Sequence, residues 1–382
     1  MPEAHGYLKT LLGKLRSIRE RAGLSEDALE ERLILGPGWI RRFETGDTVP
    51  SIDMVLAILH ETGAGLDQLL DGLPEPEASE VERSIFAEES GRNILINFRY
   101  ANFDAQYTLL NSTLDDFEVV IKTLRDGLAR LARANQAQSE AIKSDSVART
   151  FLAAVQRWPT ANPSDLWWFL VYRAYCDPYN HPAQFARLDF TQSWKRTGGW
   201  ALEEILVRHY GPFLKRHGVN LFIADSTEKQ RLVRGLTLAD RVEADKIDVV
   251  LTGETSSGPR FFGVVHVKAS FAERRTDDVP MSIALSRGGY TSPLWTMDCK
   301  STPSAHPVNR GELGDVAERR SAKRKDIEDE GYFTGCFSYN KHTQPSLDTL
   351  PDERRVYVCD FANPDDVFSR FILQRWQKFH ST

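Results

Sequence analysis

The stretch from Asp245 to Arg275, DKIDVVLTGETSSGPRFFGVVHVKASFAERR, constrains the fold more than any other part of the chain. IDVVL reads as a strand opened by an acid, Asp248. FFGVVHVK is apolar almost without break until His266-x-Lys268, which predicts a strand covered on both faces. Between them GETSSGP carries the punctuation of a hairpin. Residues two apart on a strand face the same side, so His266 and Lys268 share a face and Asp248 joins them across the hairpin. A lysine ending an apolar strand requires a partner. A carboxylate on one strand and a lysine leaving the next suit a divalent cation beside a phosphate: the carboxylate ligates the ion, the ion acidifies water, and the lysine orients and stabilises the nucleophile. Asp245, three residues before Asp248, competes for the ligand role. His266 fits a proton relay, a hydrogen-bonding partner or a spacer, and imidazole suits a hard ion such as Mg2+ poorly.

A second acid comes from an earlier segment. Ser193–Val219, SWKRTGGWALEEILVRHYGPFLKRHGV, predicts a glycine-started amphipathic helix with Leu202, Ile205, Leu206, His209 and Phe213 on one face. Glu203 falls on the flank of that face and Glu204 on the side away from it. A glutamate at the boundary of the core can reach a cation held at a sheet edge, so Glu203 is the second candidate ligand and Glu204 the alternative.

The chain of 382 residues has room for two or three domains. No apolar run approaches the roughly 18 residues of a membrane span, and the first residues lack a secretory apolar segment, so a cytoplasmic protein is expected. The four cysteines form no CxxC pair and read as reduced thiols. A net charge of −6 argues against a uniformly basic nucleic-acid binder but leaves local basic patches open.

From Leu8 to Leu70 the pattern is a series of short amphipathic helices. Gly23 stops the first, Ser25 caps the second, Gly36-Pro37-Gly38 precedes WIRRFETG, and Pro50-Ser51 precedes the fourth. Here the chain resembles the Xre, or phage-repressor, helix-turn-helix family. The matching positions are Arg19, Arg21, Ala22-Gly23-Leu24-Ser25, Glu44-x-Gly46, Pro50, Leu66 and Leu69-Leu70. The resemblance implies that the helix around Trp39 enters the DNA major groove, with Arg41 and Arg42 on phosphates or base edges. The residues alone also fit a helical interaction module that makes no DNA contact.

LPEPEASEVE reads as an exposed linker within residues 74–90. Residues 91–145 then read as a β-hairpin, NILINFRY and AQYTLL, followed by a long amphipathic helix, STLDDFEVVIKTLRDGLARLARA. The aromatic run DLWWFLVYRAYC has the spacing of core packing rather than of a base-stacking platform. ERRSAKRKDIEDEG predicts a charged helix whose basic half either meets phosphate or faces solvent.

Several blocks carry a wider resemblance: GGWALEEILVRHYGPFL, ADKIDVVLTGE, FFGVVHVKASFAERRTDDVP, GGYTSPLWTMDCKS and VNRGELGD. Together they look like the BsaWI-type family of type II restriction endonucleases, within the PD-(D/E)xK nucleases. His266 stands where that motif's second acid normally stands. The resemblance implies a catalytic domain over 146–382 with a central mixed sheet flanked by helices. Preceded by the all-α unit of residues 1–73 and the helical and β-hairpin connector, this makes the chain α+β and α/β in class. It further implies catalytic Glu203, Asp248, His266 and Lys268, with Mg2+ held by Glu203 and Asp248. The implied reaction is hydrolysis of one phosphodiester in each strand of a short palindrome, giving staggered ends. A two-fold site implies a homodimer, with further pairing of dimers left open, and a companion methyltransferase that protects the same site. Relatives that read a CCGG-type core use an R-x-(D/E)-R motif after the lysine; Glu273 and Arg274, followed by Arg275, match part of it and have the groups to read cytosine and guanine. The rival reading is a helix-turn-helix transcriptional regulator with a nuclease-like but non-cleaving C-terminal domain.

Overall fold

In the computed structural model the apolar run FFGVVHVK becomes the hinge between the antiparallel and parallel halves of a six-stranded sheet. The structure describes residues 6–73, 83–100, 103–185, 188–235, 243–270, 275–299, 306–316 and 320–381, with side chains from residue 10 and, in the helix that begins at Arg275, from Asp278 onward. The chain divides into two compact units, Met1–Glu82 and, from Arg83 onward, the remainder apart from Ala183–Arg187.

Among the described residues the first unit holds five α-helices, α1 (Gly6–Arg21), α2 (Glu26–Arg32), α3 (Trp39–Thr45), α4 (Ile52–Thr62) and α5 (Leu66–Leu70). Leu12, Leu15, Ile18, Leu29, Ile40, Phe43, Ile58 and Leu59 form its core. Ser25 caps α2 and Ser51 caps α4 as their sequence positions predict. The start of α3 is capped by a distant residue instead. Glu30 accepts from the backbone amides of Gly38 and Ile40 at 3.0 and 2.8 Å, which satisfies groups that a Gly-Pro-Gly entry cannot. Arg19 and Glu44 form a bidentate ion pair at 2.6 and 2.9 Å, with side chains only 7 % and 8 % exposed.

The second unit opens with an antiparallel sheet of β1 (Ile85–Ser90), β2 (Asn93–Tyr100) and β3 (Phe103–Leu109). The linker expected over 74–90 is therefore too long at its end: Ile85–Ser90 pairs residue for residue with Asn93–Phe98. Its sequence, IFAEES, buries little beyond Ile85, which is why it reads as linker. Residues 91–145 do not stand apart as a connector; they lie in the same compact unit as the rest of the chain from Arg83. Two long helices follow, α6 (Leu114–Ala129) and α7 (Gln136–Arg157), each opened by a reciprocal capping box, at Thr113 and Asn135. A short α8 (Pro163–Asp165) continues through a π-helical turn, Leu166–Val171, into α9 (Tyr172–Cys176). Trp167, Phe169 and Tyr175 are buried there, as core packing requires.

Helix α10 runs from Phe190 to Arg216, longer than the glycine-started helix expected at Ser193. Asp189 caps it, and Gly198 lies inside it because the Trp194 ring occupies the space a side chain would fill. The main sheet then builds in order from β4 (Val219–Phe222), β5 (Val249–Thr255), β6 (Gly258–Lys268), β7 (Leu294–Thr296), β8 (Cys336–Ser338) and β9 (Val356–Val358). The first three strands are antiparallel; β6 to β9 are parallel. Helix α11 (Ser226–Arg234) lies between β4 and β5, α12 (Arg275–Arg287) between β6 and β7, and α13 (Ala322–Glu328) and α14 (Val367–Ser381) close the unit.

Two features fix where the hairpin delivers its polar groups. The β5–β6 register shifts between Leu251 and Thr252, a bulge that re-aims the strand. Beyond it Gly263 meets Thr291 so closely that a Cβ would stand 2.1 Å from the Thr291 carbonyl oxygen; only glycine permits the bridge that starts the β6–β7 pairing. Behind the hairpin, Ile247, Val250, Val264, Met281 and Leu285 form one cluster. At about 1.5–3 kcal/mol for each such side chain, this packing is ample to clamp α12 onto the sheet.

Candidate active site

Asp248 ends the approach to β5, and its carboxylate faces the end of β6. Its Oδ2 accepts from the Val267 amide at 2.8 Å and from Lys268 Nζ at 2.7 Å. The backbone contact matters because it fixes the carboxylate independently of the lysine. The hairpin thus brings together Asp248 and Lys268 in the arrangement their sequence positions predict.

A carboxylate that sequence reasoning missed completes the group. Asp278, in α12, lies 3.4 Å from Lys268 Nζ and 3.8 Å from His266 Nδ1, and it is 2 % exposed. Burial works against its ionisation, but the His266 ring and the Lys268 charge outweigh it and hold its carboxyl below the ordinary range. The signal was present: the acid pair of TDDVP follows Lys268, and a strand with histidine at an acid position needs a carboxylate from elsewhere. What the sequence lacks is the packing of Met281 and Leu285 that turns Asp278 inward.

His266 is fully buried. Its Nε2 is hydrogen-bonded to Ser292 Oγ at 2.8 Å, and the ring meets Phe333 edge-on. Nδ1, turned toward Asp278, makes no hydrogen bond among the described residues. The imidazole is therefore held from one side and free to orient Asp278 on the other.

Glu203 and Glu204 part company. Glu204 accepts from Arg208 at 3.0 Å, and Arg208 also binds Asp145 at 2.8 Å. Glu203 is turned toward the hairpin, where burial first and the nearby Asp248 charge second push its carboxyl up to about 8. Asp245 lies exposed on a 3-10 turn, Ala244–Lys246.

The donor set suits a divalent cation. Ligand atoms of Asp248, His266 and Asp278 lie within 4.8 Å of one another, and Glu203 is raised by burial first and by the Asp248 charge second. Oxygen donors from Asp248 and Asp278 match a hard ion, with His266 as the orienting neighbour, while Glu203 falls outside this 4.8 Å group. An ion bound there would supply Lewis acidity to water and to a phosphoryl oxygen. Lys268, held between two carboxylates, is placed to stabilise negative charge on an attacking oxygen.

Of the residues expected to meet DNA, Trp39 is 39 % exposed with the Arg42 guanidinium 5.0 Å above its ring. Arg41 is also exposed. Glu273 and Arg274 lie outside the described residues, as does the side chain of Arg275. In ERRSAKRK three described cations are engaged within the protein, Lys325 is exposed, and Arg319 lies outside the described residues. Arg324 is fully buried and bonded to Glu328 and to the Leu313, Gly314 and Gln344 carbonyls, Arg320 pairs with Asp329, and Lys323 pairs with Glu312.

Residues 11–71 match a helix-turn-helix domain family. Type II restriction enzyme AgeI of Thalassovita gelatinovora is 41 % identical over 237 residues, covering 60 % of this chain and 83 % of that protein. The crystal structure of a specific AgeI–DNA complex superposes with a TM-score of 0.63 at 33 % identity, covering 76 % of this chain and 99 % of that one. A pre-specific BsaWI–DNA complex matches at 16 % identity and a TM-score of 0.35, over 69 % of this chain and 94 % of that one. Among the described residues no helix is long and apolar enough to cross a membrane.

Proposed function

Since the chain belongs to the family of type II restriction enzymes, we propose that it hydrolyses one phosphodiester in each strand of a short palindromic DNA site, using Mg2+ held by Glu203, Asp248 and Asp278. Lys268 stabilises the charge that develops during attack, and His266 orients Asp278. The observation that carries this reading is the Lys268 ammonium set between Asp248 and Asp278 at the end of the interior strand β6.

Double-stranded DNA is the substrate in this reading, consistent with the DNA complex of AgeI. A palindrome cut in both strands calls for a two-fold pair of chains, so the acting species is a homodimer on DNA. Glu273 and Arg274, directly after the lysine strand, are the proposed readers of a CCGG-type core, and the cut leaves staggered ends. A companion methyltransferase acting on the same site protects the host DNA. The helix-turn-helix unit gives a second DNA contact through Trp39, Arg41 and Arg42, either on the cleavage target or on the operator of its own gene. The alternative of a non-cleaving regulator leans on His266 in place of an acid, and Asp278 removes that support by supplying the carboxylate from α12.

The test is digestion of unmethylated phage and plasmid DNA with Mg2+, with chelator as control, followed by sequencing of the ends. Ends sharing one short palindrome support the proposal. No cutting, or a smear without a common sequence, refutes it.

A further inference from the structure

We propose that Lys229 is a second cation of the active centre, one that binds a non-bridging oxygen of the DNA backbone at or beside the scissile phosphate. The proposal rests on the nuclease reading of the Asp248–Lys268 site.

Lys229 lies on α11, in the connection between β4 and β5. It stands four residues before Val233, so the two share a helix face. Val233 is buried in the cluster that also holds Ile247, next to Asp248, and Met281, one turn beyond Asp278. One core therefore positions α11, the strand of Asp248 and the helix of Asp278 together. The other basic residues of this helix, Arg231 and Arg234, are exposed, whereas Lys229 is half-buried. Among the described residues its ammonium has no hydrogen bond or ion pair, which leaves its donors available to an anionic ligand. Its charge nevertheless reaches Glu203, and more strongly than that of Lys268 does.

Charge balance identifies the missing partner. With a cation bound and the Glu203 proton displaced, Glu203, Asp248 and Asp278 carry three negative charges and Lys268 one positive charge. A divalent cation would bring that set to neutrality and leave nothing for the phosphodiester anion. Lys229 supplies the remaining positive charge. Because phosphoryl transfer concentrates further negative charge on the non-bridging oxygens, a cation placed there stabilises the transition state more than the ground state.

The experiment uses the full chain with Lys229→Ala and Lys229→Arg. Binding is measured without metal over a range of salt concentrations, on a short duplex carrying the mapped cleavage site and on a random duplex. Single-turnover cleavage is measured with Mg2+, and thermal melts check folding. For Lys229→Ala the expected results are metal-free binding weaker by roughly three- to tenfold and a salt slope smaller by about one unit. Single-turnover cleavage should slow by about 10- to 100-fold, and Lys229→Arg should recover most of the binding. Binding and salt slope equal to wild type overturn the proposal even if cleavage falls, because Lys229 would then act only through Glu203. If the wild-type chain binds DNA and cuts none, the nuclease reading fails on its own, and the phosphate contact is still decided by binding to the random duplex.

Discussion

Lys268 Nζ donates to Asp248 Oδ2 across 2.7 Å, from the adjacent strand of one hairpin. The same oxygen accepts from the Val267 amide, so the carboxylate keeps its place when the lysine side chain moves to another partner. Lys268 can thus shift its hydrogen bond toward an attacking oxygen without releasing Asp248. This is a property of the backbone, set by the register that the bulge at Leu251 and Thr252 imposes.

Asp278 is expected to matter as much as Asp248. Asp278→Asn should lower single-turnover cleavage by about 10²- to 10³-fold and weaken divalent-cation binding measured by calorimetry. Asp245→Asn, on an exposed turn, should leave both within twofold of wild type. Equal effects of the two substitutions would remove Asp278 from the site.

Glu203 and Glu204 make a paired prediction. Glu203→Gln should abolish most cleavage, whereas Glu204→Gln breaks the contact with Arg208 and should cost only about 0.3–1 kcal/mol of stability. Cleavage rates and thermal melts of the two variants separate the roles.

The raised carboxyl of Glu203 gives a pH dependence with a definite sign. Its folded value of about 8 lies above the unfolded one, so the folded state holds the extra proton. The associated stability is complete below the unfolded value and is lost as pH rises through about 8. Metal-free Glu203→Gln should therefore melt at or near the wild-type temperature at pH 5 and a few degrees higher near pH 9, about 1–3 kcal/mol in favour of the variant. For the wild type, divalent-cation affinity should climb with pH until about 8, because binding must displace that proton. An affinity flat from pH 6 to pH 9 would show that Glu203 is not a ligand.

The Arg19–Glu44 pair governs the first unit in the same way that Asp248 governs the second. Breaking a buried pair by Glu44→Ala leaves a guanidinium without its partner and should cost about 3–5 kcal/mol. Hydrogen exchange on the full chain should accelerate in Gly6–Leu70 and stay unchanged in β5 and β6.

The hairpin and Lys268 were legible because period and composition are local properties: an acid, an apolar run, a turn and a lysine need no tertiary knowledge. Glu203 was legible as one flank of an amphipathic helix. Asp278 was not, because an acid at the start of a helix is ordinary until Met281 and Leu285 pack and turn it inward. Gly198 reads as a helix boundary until the Trp194 ring is seen lying against it. Arg324 reads as a phosphate contact, yet three backbone carbonyls and Glu328 absorb its donors. Each miss comes from side-chain packing or hydrogen bonding that the linear pattern does not specify.

The most direct measurement is site-mapped cleavage by wild type and Lys268→Ala, with DNA binding followed in parallel. Discrete fragments are expected for the wild type with Mg2+. For the variant the expected rate is lower by about 10³-fold or more, with affinity for the same duplex within a few-fold. Cleavage that survives Lys268→Ala, or a wild-type chain that binds the duplex and never cuts it, would overturn the role given to Lys268 and the nuclease reading respectively.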